Sequence, residues 1–494
     1  MAEMNEDSLA PIEEAYSEEE AAPEEEAAPE AEAEESVTEP ISLTHADLAK
    51  DFLSGNKDFY RVYDLHGQPT ASWMGSRWVI SDDTSQLRVA VRDFLNMLYD
   101  SLPAPKKGRD YRAKLKSAAY CRDVTAEVII KLPPIRKAAF DTHEYLLYAA
   151  DDVAVNLATA TEHPARREDF ITQRIYLRPD YSKPASRFDK FMDEITLDNP
   201  ELKGFLLRLM ALCLTAHPYQ GLFFFWGRGR NGKGCLLRLL SRILGGAFTC
   251  TFRPNELTAS KYNEDKAMRS FNKLEGKRLA TIEESVGSNL NLPILKLMSG
   301  GDVLAAARMR QDERQFPPTH KCVFPTNEKP ELPNDPAFRG RVFFVPFLAD
   351  YSDRDKQDPT LEATLASEAP SILAQLIKLC PDVIANGLQP PQIVMDATTA
   401  LLEENDLAAQ FKADMLTDSP GKNVSLEAMR AAVYEWLSGG TTRGLSIHST
   451  RSETQVEKIL AELKRQYGYK RLRPEGKRGR RVYHFADVSL LEEE

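Results

Sequence analysis

The eight residues GRGRNGKG, Gly227–Gly234, combine glycines and one lysine at a spacing suited to holding phosphate. Gly227, Gly229 and Gly232 let the backbone turn tightly and bring amide N–H groups against phosphate oxygens. Lys233 supplies an ammonium for β- and γ-phosphates, and the N-terminus of a following helix adds positive partial charge. Gly227, Gly229, Asn231, Gly232, Lys233, Gly234 and Cys235 form the candidate nucleotide-binding set. Gly234 stands where such loops usually carry the Ser or Thr that binds Mg²⁺. The same glycines would also serve as a plain turn in an ordinary α/β protein.

Fifty residues beyond Lys233, the segment KRLATIEE ends in Glu283 and Glu284. An apolar strand ending in two carboxylates suits nucleotide hydrolysis: Glu283 is the candidate metal ligand and Glu284 the candidate that orients attacking water. A third apolar run, His320–Pro325, ends at Thr326-Asn327. Asn327 is placed to hydrogen-bond a γ-phosphate or the water, although it also reads as a turn residue. Arg339-Gly340-Arg341 precedes a fourth run, Val342–Phe347. A guanidinium there could neutralise transition-state charge on a neighbouring subunit's nucleotide, or be a solvated strand end.

These residues need elements to position them. Gly221–Trp226 is a short continuous apolar run, the pattern of a strand covered on both faces. Leu236, Leu237, Leu239, Leu240, Ile243 and Leu244 then recur at helical spacing up to Gly245–Gly246, so a helix should close there. The order strand, glycine loop, helix predicts an α/β core over 200–350. Residues 42–199 read as a mainly helical domain. Within it, Leu87–Leu102 and Tyr111–Leu132 read as helices, and Leu146–Arg178 as helix, then turns around Pro164 and a short strand. Phe188–Leu214 is predicted helical, as is Leu361–Asn386 within a helical lid and linker over 351–405.

Charge is distributed unevenly. Residues 1–40 hold 16 Asp/Glu and no Lys/Arg, leaving 63 basic against 59 acidic residues elsewhere. That Glu/Ala/Pro-rich stretch, 1–41, lacks hydrophobic periodicity and is expected to be a disordered acidic tail. It reads as a solubilising segment, or as a nucleic-acid mimic competing for a basic site. The six cysteines are scattered without C-x-x-C spacing, which fits buried thiols in a reduced compartment. No run approaches the ~18 apolar residues of a membrane span, and the N-terminus lacks a signal pattern; a cytoplasmic location, in a host cell, is expected.

Over 406–494 the pattern changes again. Ser425–Leu437 is amphipathic, Ser452 and Gln455 read as a capping-box start, and Tyr469–Arg473 and Arg480–Phe485 read as two strands, together a winged helix. Lys464 to Arg481 carries nine Lys/Arg in eighteen residues. Lys470, Arg471, Arg473, Lys477, Arg478, Arg480 and Arg481 are therefore candidate DNA-phosphate contacts, the other reading being a hairpin edge protected by charge.

The chain resembles superfamily 3 helicases of the phage/plasmid primase–helicase type, which include the poxvirus primase–helicase. The resemblance is carried by GRGRNGKG (227–234), KRLATIEE (277–284), LPILKLMSGGD (292–302), PTHKCVFPTN (318–327) and FRGRVFFVPF (338–347). It implies a fold with an AAA+ P-loop ATPase core, a helical N-terminal domain and a C-terminal winged helix. It implies a homo-oligomeric ring, a hexamer, that hydrolyses ATP with Mg²⁺ and translocates on single-stranded DNA, typically 3′→5′. Lys233 resembles the phosphate-loop lysine, Glu283 and Glu284 the Walker B acids, Asn327 the sensor, and Arg341 the arginine finger with Arg339 as fallback. Between Asp302 and Phe316 the family places a DNA-gripping hairpin, which points to Arg308 and Arg310 as DNA contacts; Lys321 resembles the family's lysine on the following strand and is likewise a candidate DNA contact. No primase module is evident, so a separate primase or host replication proteins are expected partners. The expectation is an ATP-dependent replicative helicase of a phage, plasmid or satellite element. The alternative is an origin-binding initiator that uses ATP for assembly and recruitment without unwinding.

Overall fold

A computed structural model describes residues 43–491 apart from 63–69, 259–268, 284–289, 308–312, 333–338, 354, 356, 440–449 and 473–481. The acidic residues 1–41 therefore lie outside the described residues, as do Glu284, Arg308 and Arg310.

The first described element is helix α1 (His45–Asn56), capped by the Thr44 hydroxyl accepting from the Asp47 N–H at 3.2 Å. Strands β1 (Tyr60–Val62), β2 (Thr70–Trp73) and β3 (Trp78–Ser81) form a small antiparallel sheet. Helices α2 (Ser85–Ser101) and α3 (Ala118–Lys131) pack with α1 through Leu48, Phe52, Val91, Leu95, Val124 and Val128. The expected single helix over Tyr111–Leu132 is broken at Ser117, whose ψ of 134° is extended; a 3-10 turn covers Tyr111–Lys116.

The largest departure from expectation follows. Where a helix was expected from Leu146, the chain forms β4 (Leu146–Tyr148), β5 (Val153–Asn156) and β6 (Thr161–Pro164), an antiparallel meander. Asp151 and Asp152 carry the first turn at φ of 59° and 56°. Two positive φ angles match the twist of a tight hairpin, and Asp tolerates them better than most side chains. The region 42–199 is thus mixed rather than mainly helical.

Helices α4 (Ser186–Thr196) and α5 (Pro200–Leu212) lead into β7 (Leu222–Trp226). After β7 come α6 (Lys233–Phe248), β8 (Thr249–Phe252), β9 (Leu279–Ile282), α7 (Leu292–Met298), the β10 (Leu304–Ala307)–β11 (Glu313–Phe316) hairpin, β12 (Lys321–Thr326) and β13 (Val342–Pro346). The helix expected to close at Gly245–Gly246 is instead kinked there, Gly245 leaving helical geometry at φ 72°, ψ 171°, and helical turns continue to Phe248. Strands β13, β7, β12, β9 and β8, in that order, make a five-stranded parallel sheet. Its side chains alternate between two cores. Phe223, Phe225, Val323 and Val345 face α4, α5, α6 and the long helix α8 (Leu361–Asn386), whereas Leu222, Phe224, Phe324 and Phe344 face α7 and the β10–β11 hairpin. Burial on both faces explains the unbroken apolar runs. Architecturally the protein is mixed α/β around a parallel sheet.

Helices α9 (Gln392–Glu404) and α10 (Leu407–Met415) join this body to a last unit of β14 (Leu416–Ser425), α11 (Leu426–Gly439), α12 (Thr450–Gln466), β15 (Tyr469–Leu472) and β16 (Val482–Leu490). Its sheet order is β14-β16-β15, all antiparallel. The two expected strands are present. The third, β14, hides in LTDSPGKNVS, whose Pro, Gly and Asn read as turn; a register shift between Asp418 and Asn423 accommodates them. Helix α12 already includes Thr450, so Ser452 lies within the helix and not at the expected capping-box start. Among the described residues no helix is long and apolar enough to cross a membrane.

Candidate functional site

Parallel register brings the site together. Trp226, the last residue of β7, pairs with Thr326 of β12 on one side and Pro346 of β13 on the other. All three strands end level, so the loop after β7 emerges between Asn327 and Phe347. The Asn231 side chain, 2 % exposed, donates from Nδ2 to the Phe347 carbonyl at 3.0 Å, and the Tyr351 N–H donates to the Arg230 carbonyl at 2.8 Å. These bonds staple the loop to the segment following β13. A ligand crevice at the carboxyl ends of parallel strands is where open α/β sheets bind substrates.

Loop conformation accounts for the glycines. Gly229, Arg230 and Gly232 have φ of 97°, 48° and 87°, left-handed backbone that glycine adopts without steric cost, and the Gly229 N–H donates to the Gly227 carbonyl at 2.9 Å to tighten the turn. Gly232 also meets α4, where an added Cβ would lie 2.3 Å from Ile195 Cγ2. A Cβ on Gly227 would lie 1.8 Å from Asn231 Nδ2 and 2.4 Å from the Phe347 carbonyl oxygen. Since one of those neighbours is backbone, Gly227→Ala should displace the loop. We expect destabilisation of about 1–3 kcal/mol, read from thermal melts.

Lys233 opens α6 and is 5 % exposed. Its Nζ donates to Asn327 Oδ1 at 2.6 Å, to the Gly227 carbonyl at 2.9 Å and to Asn231 Oδ1 at 3.4 Å. The ammonium is therefore held at the mouth of the loop by groups just past β7, within the loop and just past β12. Gly234, one residue on, would place a Cβ 3.2 Å from Arg238 Nη1, the mobile end of an exposed side chain paired with Glu362. The Cys235 thiol is half-buried, and burial pushes it up to about 11, so it stays neutral and is no anionic ligand.

The loop borders a cleft of about 930 Å³ that Lys233, Arg238, Thr251, Thr281 and Glu362 help to line. A second recess of about 750 Å³, lined by Arg187, Phe191, Tyr351 and Asp358 among others, shares Arg230, Gly232, Cys235 and Glu362 with it. Neither recess was foreseen; their walls come from α4, α6 and α8, distant in sequence. Glu283 follows β9, is exposed, and is anchored by its N–H donating to the Phe252 carbonyl at 2.8 Å.

Arg341 sits elsewhere. It precedes β13, and its carbonyl accepts from the Leu222 N–H at 2.7 Å, at the amino end of the sheet. Strand rise of ~3.3 Å per residue puts roughly 15 Å between that level and the loop. Its Nη1 lies 3.5 Å from the Lys296 carbonyl. The chain thus keeps Arg341 out of its own cleft, and Arg339 is exposed beside it.

Lys321 requires a correction. It was expected to reach DNA, yet it is fully buried at the start of β12, its Nζ donating to the carbonyls of Thr215 at 2.6 Å and Thr319 at 3.2 Å. Burial pushes the ammonium down to about 7. Nearby Arg278, also buried and pushed down to about 10 by burial, donates to the Leu146 and Leu214 carbonyls. Together the two cations tie the amino end of the sheet to the preceding domain. The position of Lys321 inside a buried parallel strand was the available signal. The unfolded chain keeps the Lys321 proton to about pH 10 whereas the folded chain releases it near 7, so stability should rise with pH between 7 and 9. Lys321→Met should flatten that rise in pH-dependent thermal melts.

The β10–β11 hairpin brackets Arg308 and Arg310, with Ala307 opposite Glu313. Lys470 and Arg471 lie on β15, opposite His484 and Tyr483 of β16. Arg473, Lys477, Arg478, Arg480 and Arg481 fall outside the described residues.

Residues 225–341, under a quarter of the chain, match a family of unknown function, DUF5906. The chain is 24 % identical over 277 residues to "Putative helicase L207/L206" of Acanthamoeba polyphaga mimivirus, covering 51 % of this chain and 28 % of that protein. It is 26 % identical over 300 residues to "Putative helicase 022R" of Frog virus 3 (isolate Goorha), covering 57 % and 30 %. The chain spans less than a third of the length of either relative. Among solved structures, the apo NrS-1 C-terminal region aligns with TM-scores of 0.45 and 0.48 at 12 % and 13 % identity, covering 89–90 % of this chain and 98–100 % of that one. TM-scores below 0.5 do not establish a shared fold. The chain is thus similar, at low identity, to viral proteins named as helicases.

Proposed function

We infer that this protein is an ATP-dependent DNA helicase of the superfamily 3 type, working in replication of a phage, plasmid or satellite element. The observation that carries the reading is the Lys233 ammonium held 2.6 Å from Asn327 Oδ1 on a glycine loop between level strand ends. The residues fit a nucleotide: left-handed loop residues, a cationic cleft of about 930 Å³ and a lysine at its mouth suit a polyphosphate. Gly229, Gly232 and Lys233 would hold the phosphates, and the adjoining recess with Phe191 and Tyr351 is available to the nucleoside.

Mg²⁺ takes one or two carboxylates beside phosphate oxygens and water; Glu283 would supply the first, and the ion would offset charge on the phosphates. Glu284 and Asn327 would orient the attacking water, and Arg341, at the far end of the sheet, would act on the nucleotide of a neighbouring copy in a ring. The C-terminal helix–strand unit, read as a winged helix, and the β10–β11 hairpin would contact DNA through Lys470, Arg471 and the arginines around them. An AAA+ core follows from the same reading.

Gly234 favours a second reading, because the loop lacks the usual hydroxyl for Mg²⁺. The protein would then be an origin-binding initiator that uses ATP only to assemble. Unwinding of a forked duplex with ATP and Mg²⁺, measured beside ATP turnover with and without single-stranded DNA, separates the two. Stimulated turnover with unwinding is expected. Nucleotide binding without either would overturn the helicase reading in favour of the initiator.

A further inference from the structure

A basic surface lies far from the nucleotide cleft in the sequence, at residues 106–116 between α2 and α3. It contains Lys106, Lys107, Arg109, Arg112, Lys114 and Lys116, with Asp110 as the single acidic residue. Lys106, Lys107, Arg109, Lys114 and Lys116 are exposed, Lys116 lying 3.8 Å from Asp100, whereas the Arg112 side chain is only 13 % exposed. Tyr111 Oη donates to the Pro103 carbonyl at 3.0 Å and Arg112 Nη1 to the Leu102 carbonyl at 2.7 Å, closing the loop at its base. Lys106, Lys107 and Arg109 are left exposed on that loop, with no carboxylate of the described residues recorded against them. Asp110 is already satisfied by a two-pronged pair with Arg112, which holds its carboxyl below the usual range. Lys116 and Arg112 stand over the Tyr99 ring at 4.4 and 4.6 Å. The residue types and exposure suit a polyanion.

The described chain begins at this surface. Lys114 Nζ donates to the Leu43 carbonyl at 3.2 Å, Tyr120 Oη donates to the same carbonyl, and Lys131 Nζ donates to the Ala46 carbonyl at 2.8 Å. The residues immediately before Leu43 include Glu30, Glu32, Glu34, Glu35 and Glu39, part of a forty-residue stretch with 16 acidic residues and no basic one. Lys106 is eight residues from Lys114, at most ~28 Å away along extended chain, and the thirteen residues from Glu30 to Ser42 span up to ~45 Å. A covalently attached ligand of this kind has an effective concentration on the order of millimolar. We propose that the acidic segment 1–40 docks in cis on the basic surface formed by Lys106, Lys107, Arg109, Lys114 and Lys116, so that this surface receives an external polyanion only by displacing it.

The test is lysine footprinting on the full-length chain. Brief acetylation followed by mass spectrometry would compare the wild type with a chain in which Glu24, Glu25, Glu26, Glu30, Glu32, Glu34 and Glu35 are changed to Gln. These substitutions lie outside the described residues, and matching thermal melts of the two chains establish that they share one fold. At 25 mM NaCl, neutralising the segment should raise acetylation of Lys106 and Lys107 at least threefold and leave Lys190, which is 73 % exposed, unchanged. At 0.5 M NaCl the difference should disappear, because screening there acts within about 5 Å. Equal acetylation of Lys106 and Lys107 in the two chains at low salt would overturn the proposal. So would protection found at Lys470 and Lys477 in their place, which would put the acidic segment on the C-terminal cluster.

Discussion

ATP turnover by Lys233→Ala should fall about 10²–10³-fold, the usual cost of removing one preorganised donor from developing phosphoryl charge. The ammonium is positioned before any nucleotide arrives: Asn327 Oδ1, the Gly227 carbonyl and Asn231 Oδ1 are among the acceptors that hold it at the loop mouth. Side-chain entropy is therefore lost on folding, not on binding. The substitution also strands those acceptors in a site where Asn231 is 2 % exposed, so destabilisation of about 1–3 kcal/mol is expected as well. The two effects separate experimentally. Thermal melting of the nucleotide-free variant reads the structural part. The increment in melting temperature on adding ATP, which wild type should show and the variant should lose, reads binding. Turnover within twofold of wild type would remove Lys233 from the mechanism.

Asn327→Ala should act differently. Its side chain sits at the end of β12, one residue past the Thr326–Trp226 pair, and touches Lys233 rather than the loop backbone. The expected result is a fall in kcat of about 10–10²-fold with KM changed less than threefold, the pattern of an interaction made mainly in the transition state. Because Asn327 and Lys233 are hydrogen-bonded, their effects should not add: the double variant should be little slower than Lys233→Ala alone. Additive losses would mean that Asn327 works independently of the lysine. Steady-state kinetics of the four proteins in the cycle supplies the comparison.

These two residues mark what is legible in a one-dimensional pattern. Gly227–Gly234 is recognisable because its glycines, its lysine and the flanking apolar runs are local, and Gly245 breaks the helix with a kink as its lack of a Cβ allows. Continuous runs such as LFFFW read as strands buried on both faces for a similarly local reason, and β7 is one. Signals failed where local composition was ambiguous. LLYAADDVAVN is rich in residues common to helices, and only the positive φ at Asp151 and Asp152 makes it a hairpin. Pro420, Gly421 and Asn423 concealed β14, which is held by its pairing with β16.

By itself, then, the order of residues determined the phosphate-type loop, the strand before it, the helix after it, the acidic stretch and the basic C-terminal cluster, because each is a matter of neighbours along the chain. Tertiary structure alone decided who stands beside whom. The sheet order β13-β7-β12-β9-β8 is not the chain order. That permutation puts Asn327 94 residues away in sequence and 2.6 Å away in space from Lys233. It also sends Arg341 to the opposite end of the sheet and buries Lys321, a residue whose charge had read as a surface contact. Lateral strand pairing is set by burial on both sheet faces and by crossover geometry, interactions between residues far apart in the chain that no local spacing records.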